Sequence, residues 1–248
     1  MATQASSSSI PLAELRCMME AAAGADSNRP VLPFGIEEID EALPGGGLAL
    51  GAVHELSEEG PRGSYAACAL LFAAGILARL PGPVLWCLHS RDLFAPALAR
   101  VGLHPDRIIF CETWKDAEIL PAMEEGLRVR GLAGVVGELN RISLTPSRRL
   151  QLSAEASGVP ALIIRRSTEH LSESNAAMSR WRISPAPSVE TNPFRMGRPL
   201  WRVELMRCRG ASPNTWTVEA CNAQGRCTLP ADVSDRSDST QERRRSRA

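Results

Sequence analysis

Five short apolar runs separated by helical patterns constrain this chain more than any other feature. The runs lie at 52–56, 83–88 (PVLWCL), 107–111 (RIIFC), 133–136 and 160–165 (PALIIR). Between them, helical periodicity covers 36–43, 64–79, about 93–101, about 117–130 and 147–156. Strands this apolar must be covered on both faces, and helices that alternate with them supply the cover. The pattern predicts an α/β fold: a mostly parallel central sheet with helices on both faces. After residue 166 the texture changes. Segments 180–183, 200–209 and 215–220 alternate polar and apolar residues, which predicts C-terminal antiparallel strands, with a turn at 222–225. Trp181, Trp201 and Trp216 are expected to pack these strands on the core. Trp201 or Trp216 could instead anchor an interface.

The ends differ from the middle. Residues 1–9 are polar and of low complexity. A short helix is expected at 11–23, with Leu12, Leu15, Met18 and Met19 on one face; it packs either on its own core or on a partner or neighbouring protomer. This gives a flexible N-terminus at 1–29, a core at 30–230 and a disordered basic tail at 231–248. In the tail, Arg243, Arg244, Arg245 and Arg247 offer contacts to nucleic acid or an acidic partner, or are simply solvated. Over the whole chain charge is balanced, 28 basic against 28 acidic residues, so no large field draws the molecule to nucleic acid. Seven cysteines form no CxxC pair, and with no hydrophobic leader they point to a reducing, cytoplasmic setting. The longest apolar run, 66–78, is too short to span a bilayer. His54, His89, His104 and His170 lack metal-ligand spacing, and no serine sits in a nucleophile-elbow motif, so neither metal nor cofactor is expected.

The segment VLPFGIEEIDEALPGGGLALGAVHEL (31–56) resembles the opening of RecA-family cores, where a short helix and a glycine-rich turn lead into the strand before the phosphate-binding loop. The stretch RDLFAPALARVGLHPDRIIFCE (91–112) is similar to the next helix–turn–strand unit. GVVGELNRISLTP (134–146) is similar to the region of the metal-binding acid strand. The resemblance covers about 31–210 and implies a RecA-like core of the P-loop NTPase type.

Three positions depart from that pattern. A working loop reads Gly-x4-Gly-Lys-Ser/Thr, with backbone N–H groups on the phosphates and the lysine on the β/γ-phosphates. In SEEGPRGSYAA (57–67), Gly63 fits the second glycine, but the first falls on Glu58, the lysine on Ser64 and the hydroxyl residue on Tyr65. The only lysine of the chain is Lys115, far from the loop. The catalytic glutamate position reads Ser90, and the metal-binding aspartate position reads Gly137, with Glu138 beside it. Glu138 is either a substitute metal ligand or a carboxylate that is solvated or paired with Arg62 or Arg141. The arginines at the sheet's C-terminal edge, Arg141, Arg148, Arg149, Arg165 and Arg166, are expected to pair with acids or solvate a surface rather than hold DNA. The segment 167–175 carries acids and no base.

Within the RecA superfamily the chain resembles the ImuA-like group, through its FGIxxIDxxLPGGGL-type opening, its degenerate loop, the VVGEL run and the pattern LWRVELMRCRGASPNTWTVEA (200–220). That resemblance implies a non-enzymatic accessory factor in SOS mutagenesis and translesion DNA synthesis. It would act with an inactive Y-family polymerase-like protein and an error-prone replicative-type polymerase, with self-association a further option. Two other readings stand beside it: a divergent ATPase using Glu138, and a division inhibitor of the SulA type.

Overall fold

A computed structural model describes residues 29–59, 67–90, 92–166, 173–187 and 199–230. The expected helix at 11–23, the loop residues Arg62, Gly63, Ser64 and Tyr65, most of the acidic segment after Arg166 and the basic tail lie outside the described residues.

One large sheet organises the chain. Its strands are β3 (Val53–Glu58), β4 (Val84–Leu88), β5 (Ile108–Glu112), β6 (Gly134–Leu139), β7 (Ala161–Arg165), β8 (Ser179–Ala186), β9 (Leu200–Cys208) and β10 (Asn214–Glu219). In space the order is β10-β9-β8-β3-β7-β6-β4-β5. The helices are α1 (Glu37–Asp40), α2 (Ala67–Ala78), α3 (Ala95–Ala99), α4 (Asp116–Leu127) and α5 (Leu144–Ser157). The expected alternation is therefore present, and the central sheet is mostly parallel.

Two details differ from expectation. β8 runs parallel to β3 and antiparallel to β9, and β10 is antiparallel to β9, so of the eight strands only β9 runs against the sheet. Alternation along a strand reports which face is buried, not the direction of its neighbours, so this difference is invisible in sequence. A second sheet pairs β1 (Val31–Leu32) with β2 (Leu48–Ala49). Strands of two residues are too short to show a period.

α2 is almost wholly apolar, and it is enclosed accordingly. Ala69, Phe72, Ala73, Ala74, Ile76 and Leu77 are buried in one cluster with Leu56, Trp86, Val136 and Ile164 from the sheet. An aromatic set closes over it: Phe34 stacks on Phe72 at 5.9 Å, and Trp181 lies 6.2 Å from Phe72 and 6.3 Å from Trp216. Trp201 meets Phe72 edge-on at 6.4 Å, so all three late tryptophans pack on the core. Large side chains buried this fully contribute roughly 2–3 kcal/mol each. The opposite sheet face carries Val53, Cys87, Val135, Leu139 and Ile163 under α4 and α5. Asp40, closing α1, accepts from the Phe34 and Gly35 amides at 2.6 and 2.8 Å, which fixes the turn that presents Phe34 to α2.

His54, at the start of β3, is fully buried in a chain of polar contacts. Its Nε2 lies 2.8 Å from the Ala49 carbonyl, which can only accept, so Nε2 carries the proton. Nδ1 then accepts from Ser179 Oγ at 2.6 Å, and Ser179 Oγ accepts from Trp181 Nε1 at 2.6 Å. Burial lowers the pKa of His54 from 6.5 to about 4. The unfolded chain takes up this proton below about pH 6.5, whereas the folded one resists until about pH 4. Stability from this group is complete above the upper value and is lost as pH falls toward the lower. Between pH 7 and 5 the loss is expected to be about 2 kcal/mol. Urea midpoints measured across that interval should fall in the native chain and flatten in His54→Leu; equal slopes would disprove the assignment.

Candidate functional site

The C-terminal ends of the parallel strands bring together the residues that the sequence marks out. Glu58 ends β3 and is buried, with α2 beginning at Ala67. Burial and then the Glu58 charge push the thiol of Cys68, in the first turn of α2, up to about 11. Ser90 is half-buried two residues beyond β4. Next to it, His89 Nδ1 lies 3.1 Å from the Thr113 carbonyl, and the Thr113 amide donates to Leu88 O at 2.9 Å, tying the ends of β4 and β5 together.

β6 is longer than expected, and its two faces settle the geometry of Gly137 and Glu138. Val135, Gly137 and Leu139 point toward α4, while Val136 and Glu138 point toward α2. A Cβ at Gly137 would stand 2.1 Å from Met123 Sδ, so a side chain there has to displace the Met123 thioether of α4. The acid position on the α2 face of β6 is Glu138, not residue 137. This revises the register taken from sequence.

Glu138 is fully buried and held from two sides. Trp86 Nε1 donates to Oε1 at 2.9 Å, and Arg166 Nη1 donates to Oε2. Arg166 also clamps Asp92, with Nη1 to Oδ1 at 3.2 Å and Nη2 to Oδ2 at 2.6 Å. Among the described residues the arginine that meets Glu138 is Arg166, whereas Arg141 pairs with Glu173 at 2.9 Å and Arg62 lies outside them. Trp86 and Asp92 went unrecognised in sequence because nothing in the local pattern links them to residue 138.

On the other sheet face a second buried carboxylate gathers two guanidinium groups. Glu55 accepts from Arg165 Nη1 at 2.8 Å, Arg180 Nε at 2.8 Å and Asn175 Nδ2 at 2.7 Å. Both Glu55 and Arg165 have fully buried side chains. The network joins β3, β7, β8 and the segment leading into β8. Its one sequence signal was a glutamate inside an apolar strand. Arg149 pairs with Glu124, and Arg148 is exposed. The edge arginines thus mostly pair with acids.

Among the described residues β5 ends the sheet, with β4 as its one neighbouring strand. Ile109 and Phe110, on its two faces, are 53% and 41% exposed; Phe94 and Trp114 at the same end of the sheet are 69% and 89% exposed. No group of three or more metal-ligating side chains occurs among the described residues, and no helix there is long and apolar enough to cross a membrane.

Protein ImuA from two strains of Caulobacter vibrioides is 37% identical over 214 residues, spanning 81% of this chain and 88% of the relative. The chain belongs to the ImuA family. No family model matches it. Among solved structures, the RadB recombinase superposes with a TM-score of 0.54 at 18% identity, covering 78% of this chain and 97% of that one. That likeness establishes the RecA-like α/β fold. Family and fold together support an accessory role in DNA-damage-induced mutagenesis.

The close approach at Gly137 has a direct consequence for stability. Gly137→Ala should lower unfolding free energy by about 1–3 kcal/mol through overpacking against Met123. The double variant Gly137→Ala/Met123→Ala should lose clearly less than the sum of the two single losses. Strict additivity in chemical denaturation would disprove the contact.

Proposed function

We propose that this ImuA-family chain is a catalytically degenerate RecA-like accessory factor. In this reading it assists translesion synthesis by binding proteins rather than by hydrolysing nucleotide, and it takes no cofactor. The observation that carries the reading is the state of Glu138. The one acid on the α2 face of β6 accepts from Trp86 and Arg166, and Arg166 is itself clamped by Asp92. A Mg²⁺ ligand needs free oxygens, and both oxygens of Glu138 already accept, Oε1 from Trp86 and Oε2 from Arg166. Glu58 at the end of β3 adds negative charge where a nucleotide site needs positive charge. Ser64 in the lysine position, from the sequence, agrees with this.

The reading also requires a surface for partners. The β5 edge supplies one: no further strand lies beside it among the described residues, and its exposed Ile109, Phe110 and neighbouring Trp114 suit an extended apolar segment added as a further strand. By resemblance, the partners are the Y-family polymerase-like protein and the error-prone replicative-type polymerase of the mutagenesis cassette, inside the cell.

Two measurements test the proposal. Calorimetric titration with Mg-ATP is expected to give no saturable heat; saturable binding that disappears in Glu138→Ala would overturn the degenerate-site reading in favour of a divergent ATPase. In co-purification, Ile109→Asp/Phe110→Asp is expected to weaken capture of the polymerase-like partner at least tenfold with the fold intact by circular dichroism. Undiminished capture would remove the edge strand from the interface.

A further inference from the structure

Two thiols face each other on the side of α2 remote from the sheet. Cys221 Sγ and Cys227 Sγ are 3.3 Å apart, at the two ends of the loop CNAQGRC. The loop is closed by backbone bonds: Glu219 N donates to Thr228 O at 2.7 Å, Asn222 N to Arg226 O at 3.0 Å and Gly225 N to Asn222 O at 2.9 Å. Asn222 Oδ1 accepts from the amides of Gln224 and Arg226 at 2.9 and 3.1 Å. α2 leaves room for this loop. A Cβ at Gly75 would lie 2.5 Å from Cys221 Sγ, and one at Gly225 would lie 2.4 Å from Gly75 O. Arg79, one residue past α2, stands within electrostatic reach of both sulfurs. Its Nη2 donates to Pro33 O, while its buried Nε finds no acceptor among the described residues.

We propose that Cys221 and Cys227 form a reversible dithiol–disulfide site, oxidised by small-molecule disulfides, that stiffens the loop seated on α2. A disulfide needs its sulfurs about 2 Å apart, so closing takes roughly 1 Å of side-chain movement. Cys221, the more exposed of the two, loses its proton and attacks one sulfur of the small disulfide. The S–S bond of the small molecule breaks, and its departing thiolate takes up the proton. Cys227 then attacks Cys221 Sγ, displaces the second small thiolate and passes its own proton to it. The protein dithiol is oxidised, one small disulfide is reduced to two thiols, and excess thiol reverses both steps. The Arg79 guanidinium gives a thiolate at Cys221 a positive neighbour. In the resting dithiol, the hydrogen bond with Cys227 and burial outweigh that neighbour and hold the Cys221 thiol well above its usual range. The site therefore responds to a sustained change in the thiol–disulfide ratio and not to a brief one.

The test uses the full native chain, equilibrated for hours in glutathione buffers of increasing oxidised fraction, alkylated and mapped by mass spectrometry. The segment carrying Cys221 and Cys227 is expected to become two hydrogens lighter in a single reversible step, and titratable thiols should fall from seven by two. The unfolding midpoint should rise by roughly 5 °C on oxidation. Cys227→Ser should accumulate a glutathione adduct at Cys221 and show no such rise. A stable glutathione adduct on the native chain, oxidation at Cys87 and Cys111 first, or a fully reduced pair in the most oxidised buffer would each overturn the proposal.

Discussion

The enclosure of α2 is the constraint on which the rest of the structure depends. A helix apolar on every side cannot rest on a sheet with its outer surface in water; it has to be surrounded. The parallel strands cover one side through Leu56, Trp86, Val136 and Ile164. β8, β9 and β10 extend the sheet and bring Trp181 and Trp201 against Phe72, with Trp216 on Trp181. The 221–227 loop closes in at Gly75. The late strands are thus not an appendage; without them, much of α2 would face solvent.

Charge has been taken into both faces of this apolar frame. Glu138 with Arg166 lies on the α2 face, and Glu55 with Arg165 and Arg180 on the other. Burying ions costs several kcal/mol each unless the partners are held in good geometry, so such pairs define one arrangement of the strands more than they add net stability. Both networks join strands distant in sequence: Glu55 and Arg165 are separated by 110 positions. They fix the relative heights of β3, β7 and β8, and of β6 and β7, at the end of the sheet where a nucleotide site would be built. There Glu138 faces inward, accepting from the Trp86 indole and the Arg166 guanidinium.

The alternation of apolar strands and helices was legible, and so were α2 and the tryptophan packing, because each rests on periodicity or sheer hydrophobicity. The direction of β8 was not, since a parallel and an antiparallel neighbour bury the same alternate residues. At the candidate site, Glu138 was recognisable as the acid to watch. Its partner was not, because Arg141, Arg165 and Arg166 are equivalent in a linear string and differ only in where the ends of β6 and β7 deliver them. The mismatch at Gly137 shows the same limit: a one-residue shift within β6 reverses which layer a side chain enters.

Sequence by itself determined the α/β class, the ImuA-family membership and the lack of a lysine or arginine after Gly63, since these are properties of residue identity and order. Only the tertiary structure decided that Glu138 meets Trp86 and Arg166, that β5 is the last strand of the sheet among the described residues, and that Cys221 meets Cys227 over Gly75. Each of these depends on distances between side chains carried by separate elements, and such distances are set by how layers pack, not by spacing along the chain.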